Sequence, residues 1–164
     1  PPLDDLSEKE VYMDIQQAIA ALNKTLSLEY AGLIQYLQHS FLVQDLWREV
    51  YADSFKDSSE GCHTHARQLG EMITALGAVP TVEPAPIKQS ADLAEMLQQD
   101  LELERAALQA YLDAINVVAD EIPLRTMLEL MAEDEQRSIW HLEKILKQKD
   151  FRLIRKEIRL QQAG

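Results

Sequence analysis

Cysteine occurs once in this chain, at Cys62, so no disulfide can form within it and a reducing compartment such as the cytosol is expected. Glycine and proline are scarce too, five and six among 164 residues, and Leu, Ala, Glu, Gln and Met dominate, so propensity favours helix over sheet. No basic-then-apolar signal segment opens the sequence, and no apolar run approaches the roughly 18 residues that span a bilayer. A soluble, cytoplasmic protein without a membrane partner is the expectation. Positive charge is also in short supply. A net charge of -12 argues against a nucleic-acid partner, because neutralising phosphates needs clustered Lys and Arg. The exception is the end of the chain, where Lys147 onward holds six basic residues against two acidic ones.

What is present is enough apolar material, 46% of residues, to fill one core. A single all-α domain is expected over 1–164, with a helical bundle at about 7–147 and a basic C-terminal segment at 148–164. Ser7 followed by Glu10 fits a capping box, and apolar residues recur at helical spacing from there to about Gln44. A second helix is predicted from about Arg48 to Leu76, stopped by Gly77 and Pro80. Ser90 or Asp92 can cap a third, at about 91–119, and Pro123 suits the first turn of a fourth, at about 123–147. The tail can add a short amphipathic fifth helix.

The joins between helices one and two and between three and four are short, which makes those pairs antiparallel. Residues 78–91 differ, with three prolines in 14 residues. At about 3.3 Å per residue such a linker reaches some 45 Å, comparable to a 28-residue helix at about 1.5 Å per residue. A crossover along the whole bundle is predicted, with helices two and three parallel.

The predicted inward faces contain residues that do not belong in an apolar core. Helix one presents Leu22, Leu26, Glu29, Leu33 and Tyr36, and helix two presents Phe55, Ser58, Cys62, His65, Leu69 and Met72. Helix three presents Leu97, Leu101, Glu104, Leu108 and Tyr111, and helix four presents Leu128, Met131, Glu135, Ser138, Leu142 and Ile145. Each unpaired buried carboxylate costs several kcal/mol, and no Lys or Arg shares these faces. His65 alone cannot neutralise Glu29, Glu104 and Glu135. A bound divalent cation can, and carboxylate with imidazole suits iron, manganese or zinc. The bland alternative is a solvated polar layer.

The segments around these residues, LEYAGLIQYLQH with Glu29, HARQLGEMITALGAVP with His65, EMLQQDLELERA with Glu104 and EDEQRSIWHLEKIL with Glu135, resemble the ferritin superfamily, most closely the bacterioferritins. The resemblance implies a ferritin-like four-helix bundle with a long crossover between helices two and three. It also implies a dinuclear iron site built from one Glu on each of two helices and Glu-x-x-His on each of the others. Two expected ligands are absent. Cys62 stands where a metal-bridging Glu is expected, and Ser138 where a His is expected. The metal candidates are therefore Glu29, His65, Glu104 and Glu135, in a lopsided set: Glu29, His65 and Glu135 surround one position and Glu104 faces the other almost alone.

Cys62 can be a small buried hydrophobe or a thiolate ligand. Ser138 is a poor ligand, and His39 and His141 read as helix-edge residues, though His141 can supply the missing imidazole if helix four rotates. Tyr36 and Tyr111, one heptad after Glu29 and Glu104, can pack in the core or hydrogen-bond the site. Glu60 and His63 spell Glu-x-x-His but point away from the apolar face. The resemblance places a haem-binding residue at His63, where a surface histidine is the expectation.

Three functions fit this reading. One is iron storage or Fe(II) oxidation by a homo-oligomer of twofold dimers, whose interfaces cover Tyr30, Trp47, Tyr51 and Trp140. The others are a metal-dependent oxidase of a small organic substrate and a non-enzymatic bundle with a decayed site.

Overall fold

The computed structural model describes the backbone of residues 13–162 and the side chains of residues 13–147. Four helices carry the chain: α1 (Ile15–Leu42), α2 (Arg48–Ala75), α3 (Leu93–Val117) and α4 (Ile122–Gln162). Each begins or ends where local chemistry dictates. The Asp14 carboxylate accepts from the backbone N–H groups of Gln16 and Gln17 at 3.0 and 3.1 Å, satisfying donors that no helix can pair internally. The Ser7 capping box lies outside the described residues. Asp92 caps α3 through the Glu95 N–H at 2.9 Å. Gly77 stops α2 in a left-handed conformation (φ +81°), which lacks a steric penalty only for glycine.

The α1–α2 turn contains a 3-10 turn, Asp45–Trp47, that periodicity did not reveal. Asp45 takes φ +58° there, and Arg48 closes the corner by donating to the carbonyls of Ser40 and Val43. The tail is helical as expected, but it continues α4 to Gln162 as one 41-residue helix instead of forming a separate fifth. No Gly or Pro stands after Lys147 to break the ladder until Gly164.

The crossover follows α1 from one end to the other. Thr81 N–H donates to Asn23, Ala85 N–H to the Ser27 carbonyl and Lys88 N–H to Gln35, at 2.7, 2.8 and 2.9 Å. Increasing numbers on the loop meet increasing numbers on α1, so the chain enters α3 at the end where it entered α2. Helices α2 and α3 therefore run parallel, as the linker length predicts.

Close packing joins α1 to α2, α3 to α4 and α1 to α3, leaving the α2–α4 seam as the wide one. Two apolar clusters fill the bundle. One centres on Leu22, Leu26, Leu69, Met72, Leu128 and Met131, and the other on Phe55, Met96, Leu97, Leu101 and Leu142. Between them lies a buried polar layer containing Glu29, His65, Glu104 and Glu135. Of the predicted inward residues, Leu33, Ser58, Leu108, Ser138 and Ile145 are only half-buried.

Candidate metal centre

Each of the four helices delivers one ionisable side chain to the polar layer. The ligand atoms of Glu29, His65 and Glu135 lie within 4.8 Å of one another. His65 Nδ1 is 3.0 Å from Glu135 Oε1 and 3.3 Å from Glu29 Oε1. Its other ring nitrogen, Nε2, faces Asp134 Oδ2 at 3.4 Å. This arrangement matters chemically. An Nε2–H held by a carboxylate leaves Nδ1 directed at the two other carboxylates and available to a cation. Asp134 escaped the sequence reading because an exposed acidic residue next to Glu135 carries no periodic signal.

Glu104 does not join the triad directly. It accepts a hydrogen bond from the Tyr36 hydroxyl and lies close enough to Glu135 for the two carboxyls to influence each other's protonation. Tyr111 donates to Glu29 at 2.6 Å, so both tyrosines expected near the site touch it. Burial, and then the charge of Glu104, pushes the Glu135 carboxyl well above the usual carboxylate range. Glu104 is also raised, chiefly by burial. Burial works against charge on His65, but hydrogen bonds and attraction from Glu29 and Asp134 outweigh it and raise its pKa. The cluster thus retains protons where positive charge is needed. Two carboxylates and an imidazole converging in a buried pocket fit a divalent cation that would replace those protons.

A cavity of about 340 Å³ adjoins the layer in the α2–α4 seam. Glu104, His65 and Glu135 line its inner end, Ser54, Ser58, Cys62 and Ser138 its walls, and Asp57, Gly61 and Asp134 its outer part. Cys62 is buried, and its thiol is held up by burial and by the neighbouring carboxylates. Its Sγ packs against Gly32 of α1, where an added Cβ would lie 2.6 Å away.

Three residues sit apart. His63 is exposed, with Nδ1 3.2 Å from Glu60, on a surface groove beside Tyr30 and Arg67. His141 is exposed and lines a small cavity with Tyr36 and Ser138. His39 is a correction: it is not a helix-edge residue but fully buried, because Asp100 one turn before Glu104 supplies an equally buried partner at 3.0 Å. Gln35 completes that cluster, donating to Asp100 at 2.9 Å.

The ferritin-like domain family matches residues 19–151. The chain belongs to the ferritin family. A bacterial ferritin of Synechocystis sp. is 30% identical over 132 residues, covering 78% of this chain and 85% of that protein. A nutrient stress-induced DNA-binding protein of Synechococcus sp. is 29% identical over 102 residues, 56% of this chain and 58% of the relative. Among solved structures, a ferritin-like diiron-carboxylate protein of Bacillus anthracis superposes with a TM-score of 0.79 at 29% identity. That likeness covers 82% of this chain and 99% of the other. The bacterioferritin of Rhodobacter capsulatus gives 0.75 at 26% identity, over 82% and 86% of the two chains. The expected ferritin-like four-helix bundle, close to bacterioferritin, is the fold observed.

Proposed function

We propose that this ferritin handles iron: it binds Fe(II) between its helices for storage and oxidises it there with dioxygen. The observation that carries the proposal is the convergence of Glu29, His65 and Glu135 within 4.8 Å at a depth where burial raises the Glu135 carboxyl. Those residues hold the first ion. On its binding, Glu135 and His65 Nδ1 would give up their protons to solvent, Asp134 would hold the imidazole by its Nε2–H, and Tyr36 would keep Glu104 in place for a weaker second ion. The second position is weaker because Cys62 and Ser138 stand where bacterioferritins are expected to supply Glu and His. Fewer fixed charges then offset repulsion between two cations.

Anaerobic titration with Fe(II) tests this directly. One tight equivalent per chain is expected, lost in His65→Ala, with a second, weaker one. Two equally tight equivalents refute the asymmetry, and no tight equivalent refutes the site.

Closed homo-oligomers built from twofold dimers, in the cytoplasm, belong to the same proposal. Trp47 and Trp140 are 57% and 56% exposed, and Phe41 60%, which supports an interface. Tyr30 and Tyr51 are half-buried and supply less of it. A monomer by sedimentation at micromolar concentration counts against the shell. The net charge of -12 gives no support to nucleic-acid binding.

The cavity beside the triad favours a second reading, an oxidase acting on a small organic molecule. An iron-dependent product from a metabolite mixture supports that reading, and mineral core formation supports storage.

A further inference from the structure

We propose that the cavity in the α2–α4 seam binds a small monocarboxylate from solution, which completes the second metal position in place of a protein side chain. The proposal rests on the iron-binding reading above and concerns only its weaker half.

Charge counting carries the argument. One divalent ion at Glu29, Glu135 and neutral His65 is balanced by two carboxylates. A second ion would add two positive charges, and among the described residues Glu104 is the one further buried carboxylate that lines the cavity. The doubly loaded layer is thus one negative charge short. Asp134 is committed to His65 Nε2 and is largely exposed, and Asp57 is exposed at the outer part of the cavity. Unbalanced charge in a buried site is costly, and a single carboxylate removes the deficit.

Geometry provides the room. The cavity touches Glu104 and Glu135 at its inner end and reaches solvent between α2 and α4, so an anion can arrive without passing through the apolar clusters. At roughly 30 Å³ per water-sized unit, a volume of 340 Å³ has space for about ten non-hydrogen atoms. Acetate, lactate and similar acids fit. The wall hydroxyls of Ser54, Ser58 and Ser138 can donate to a carboxylate oxygen, and among the described residues no Lys or Arg lines the cavity to hold an anion unaided. Asp57 and Asp134 disfavour di- and tricarboxylates. The anion and the second cation therefore depend on each other, and each must raise the other's affinity by the same factor.

Calorimetric titration of the metal-free full chain with Zn(II), in a non-coordinating buffer at constant ionic strength, tests the coupling. Chloride, acetate and citrate are compared at equal millimolar concentration. Acetate is expected to strengthen the second equivalent by about tenfold, within the usual range of coupling between two ligands. Competition by acetate for free Zn(II) works the other way, so strengthening cannot arise in solution. Chloride is expected to have no effect, citrate is expected to withdraw the metal, and acetate is expected not to bind the metal-free protein. Cys62→Glu, which brings its own carboxylate, should bind the second equivalent tightly without acetate and lose the acetate response. If that variant does not fold, the titrations of the unmodified chain still decide. A tight first equivalent with a second indifferent to acetate overturns this inference and leaves iron binding standing. Absence of the first equivalent overturns both.

Discussion

The phenol of Tyr111, on α3, donates a 2.6 Å hydrogen bond to Glu29 of α1. Tyr36 of α1 returns the arrangement by donating to Glu104 of α3. Each tyrosine lies seven residues after the carboxylate of its own helix and serves that of the other, a reciprocal pair that ties α1 to α3 across the polar layer. Burial pushes both phenols well above their ordinary pKa, so each remains a donor throughout the physiological range. Tyr111→Phe or Tyr36→Phe leaves a buried carboxylate short of a partner. Each should destabilise the metal-free protein by about 1–3 kcal/mol in urea denaturation. The double variant should depart from additivity by more than about 0.5 kcal/mol, because Glu29, His65, Glu135 and Glu104 form one connected network. Single variants as stable as the parent would show that these bonds contribute nothing net.

Asp100 is the hub of a second buried polar cluster, receiving Gln35 and facing His39. Gln35 also accepts from the Lys88 backbone, so the cluster anchors the crossover to the helices. Asp100→Ala strands both partners in a dry environment and should cost about 3–5 kcal/mol. Asp100→Asn keeps the shape and an acceptor for Gln35 and should cost much less. Hydrogen exchange at the Lys88 amide is the local readout: it should accelerate in Asp100→Ala before global unfolding. An unchanged Lys88 exchange rate would separate the cluster from the crossover.

The four helices, the parallel relation of α2 and α3 and the triad were legible in the sequence because they follow from periodicity, linker length and the conflict of carboxylates with an apolar face. Asp92, Gly77 and Pro123 marked helix ends through local chemistry alone, and of the two cap candidates for α3 it is Asp92, not Ser90, that serves. His39 was not legible. Its burial depends on Asp100, 61 residues away, and a single helix cannot show whether a neighbour brings a partner. The end of α4 was misplaced for a related reason, since amphipathic pattern cannot distinguish a continuing helix from a new one when no breaker intervenes. The cavity was invisible because the space beside the small residues Ser54, Ser58, Gly61 and Ser138 depends on how far α2 and α4 stand apart, which the pattern of a single helix does not show.

Gly32 permits α1 to approach Cys62, whose Sγ occupies the space of the missing Cβ. Gly32→Ala must rotate the thiol, and the cavity offers room for it. The helix gains roughly 0.5–1 kcal/mol from Ala over Gly, which offsets the cost of a poorer rotamer, about 0.5–1.5 kcal/mol. Stability should therefore change little, whereas alkylation of Cys62 by iodoacetamide, followed by intact mass, should be faster. A loss of several kcal/mol with no change in alkylation would show that the helices separate and the thiol stays in place.

The metal-free protein should lose stability as pH rises. Asp100, Glu104 and Glu135 all have pKa values raised, with burial the leading cause. Between the ordinary carboxylate value of about 4 and these raised values, the folded chain keeps protons that the unfolded chain has released. Stability therefore falls with rising pH across that window and levels off above it. His65 acts in the same direction: its raised pKa contributes stability that is complete below its unfolded value of about 6.5 and is lost as pH climbs through the folded one. Asp53, Glu102 and Asp113 are lowered by their Lys or Gln partners and oppose the trend, but they are solvent-exposed and screened. A divalent ion reverses the dependence, because it requires Glu135 and His65 Nδ1 without their protons, so its affinity grows with pH. Urea midpoints should fall from about pH 5 to about pH 8 without metal, and the gap between Zn(II)-loaded and metal-free protein should widen over the same range. A metal-free midpoint that rises with pH would mean that the buried layer is not protonated, and that its carboxylates are balanced by something other than the retained protons.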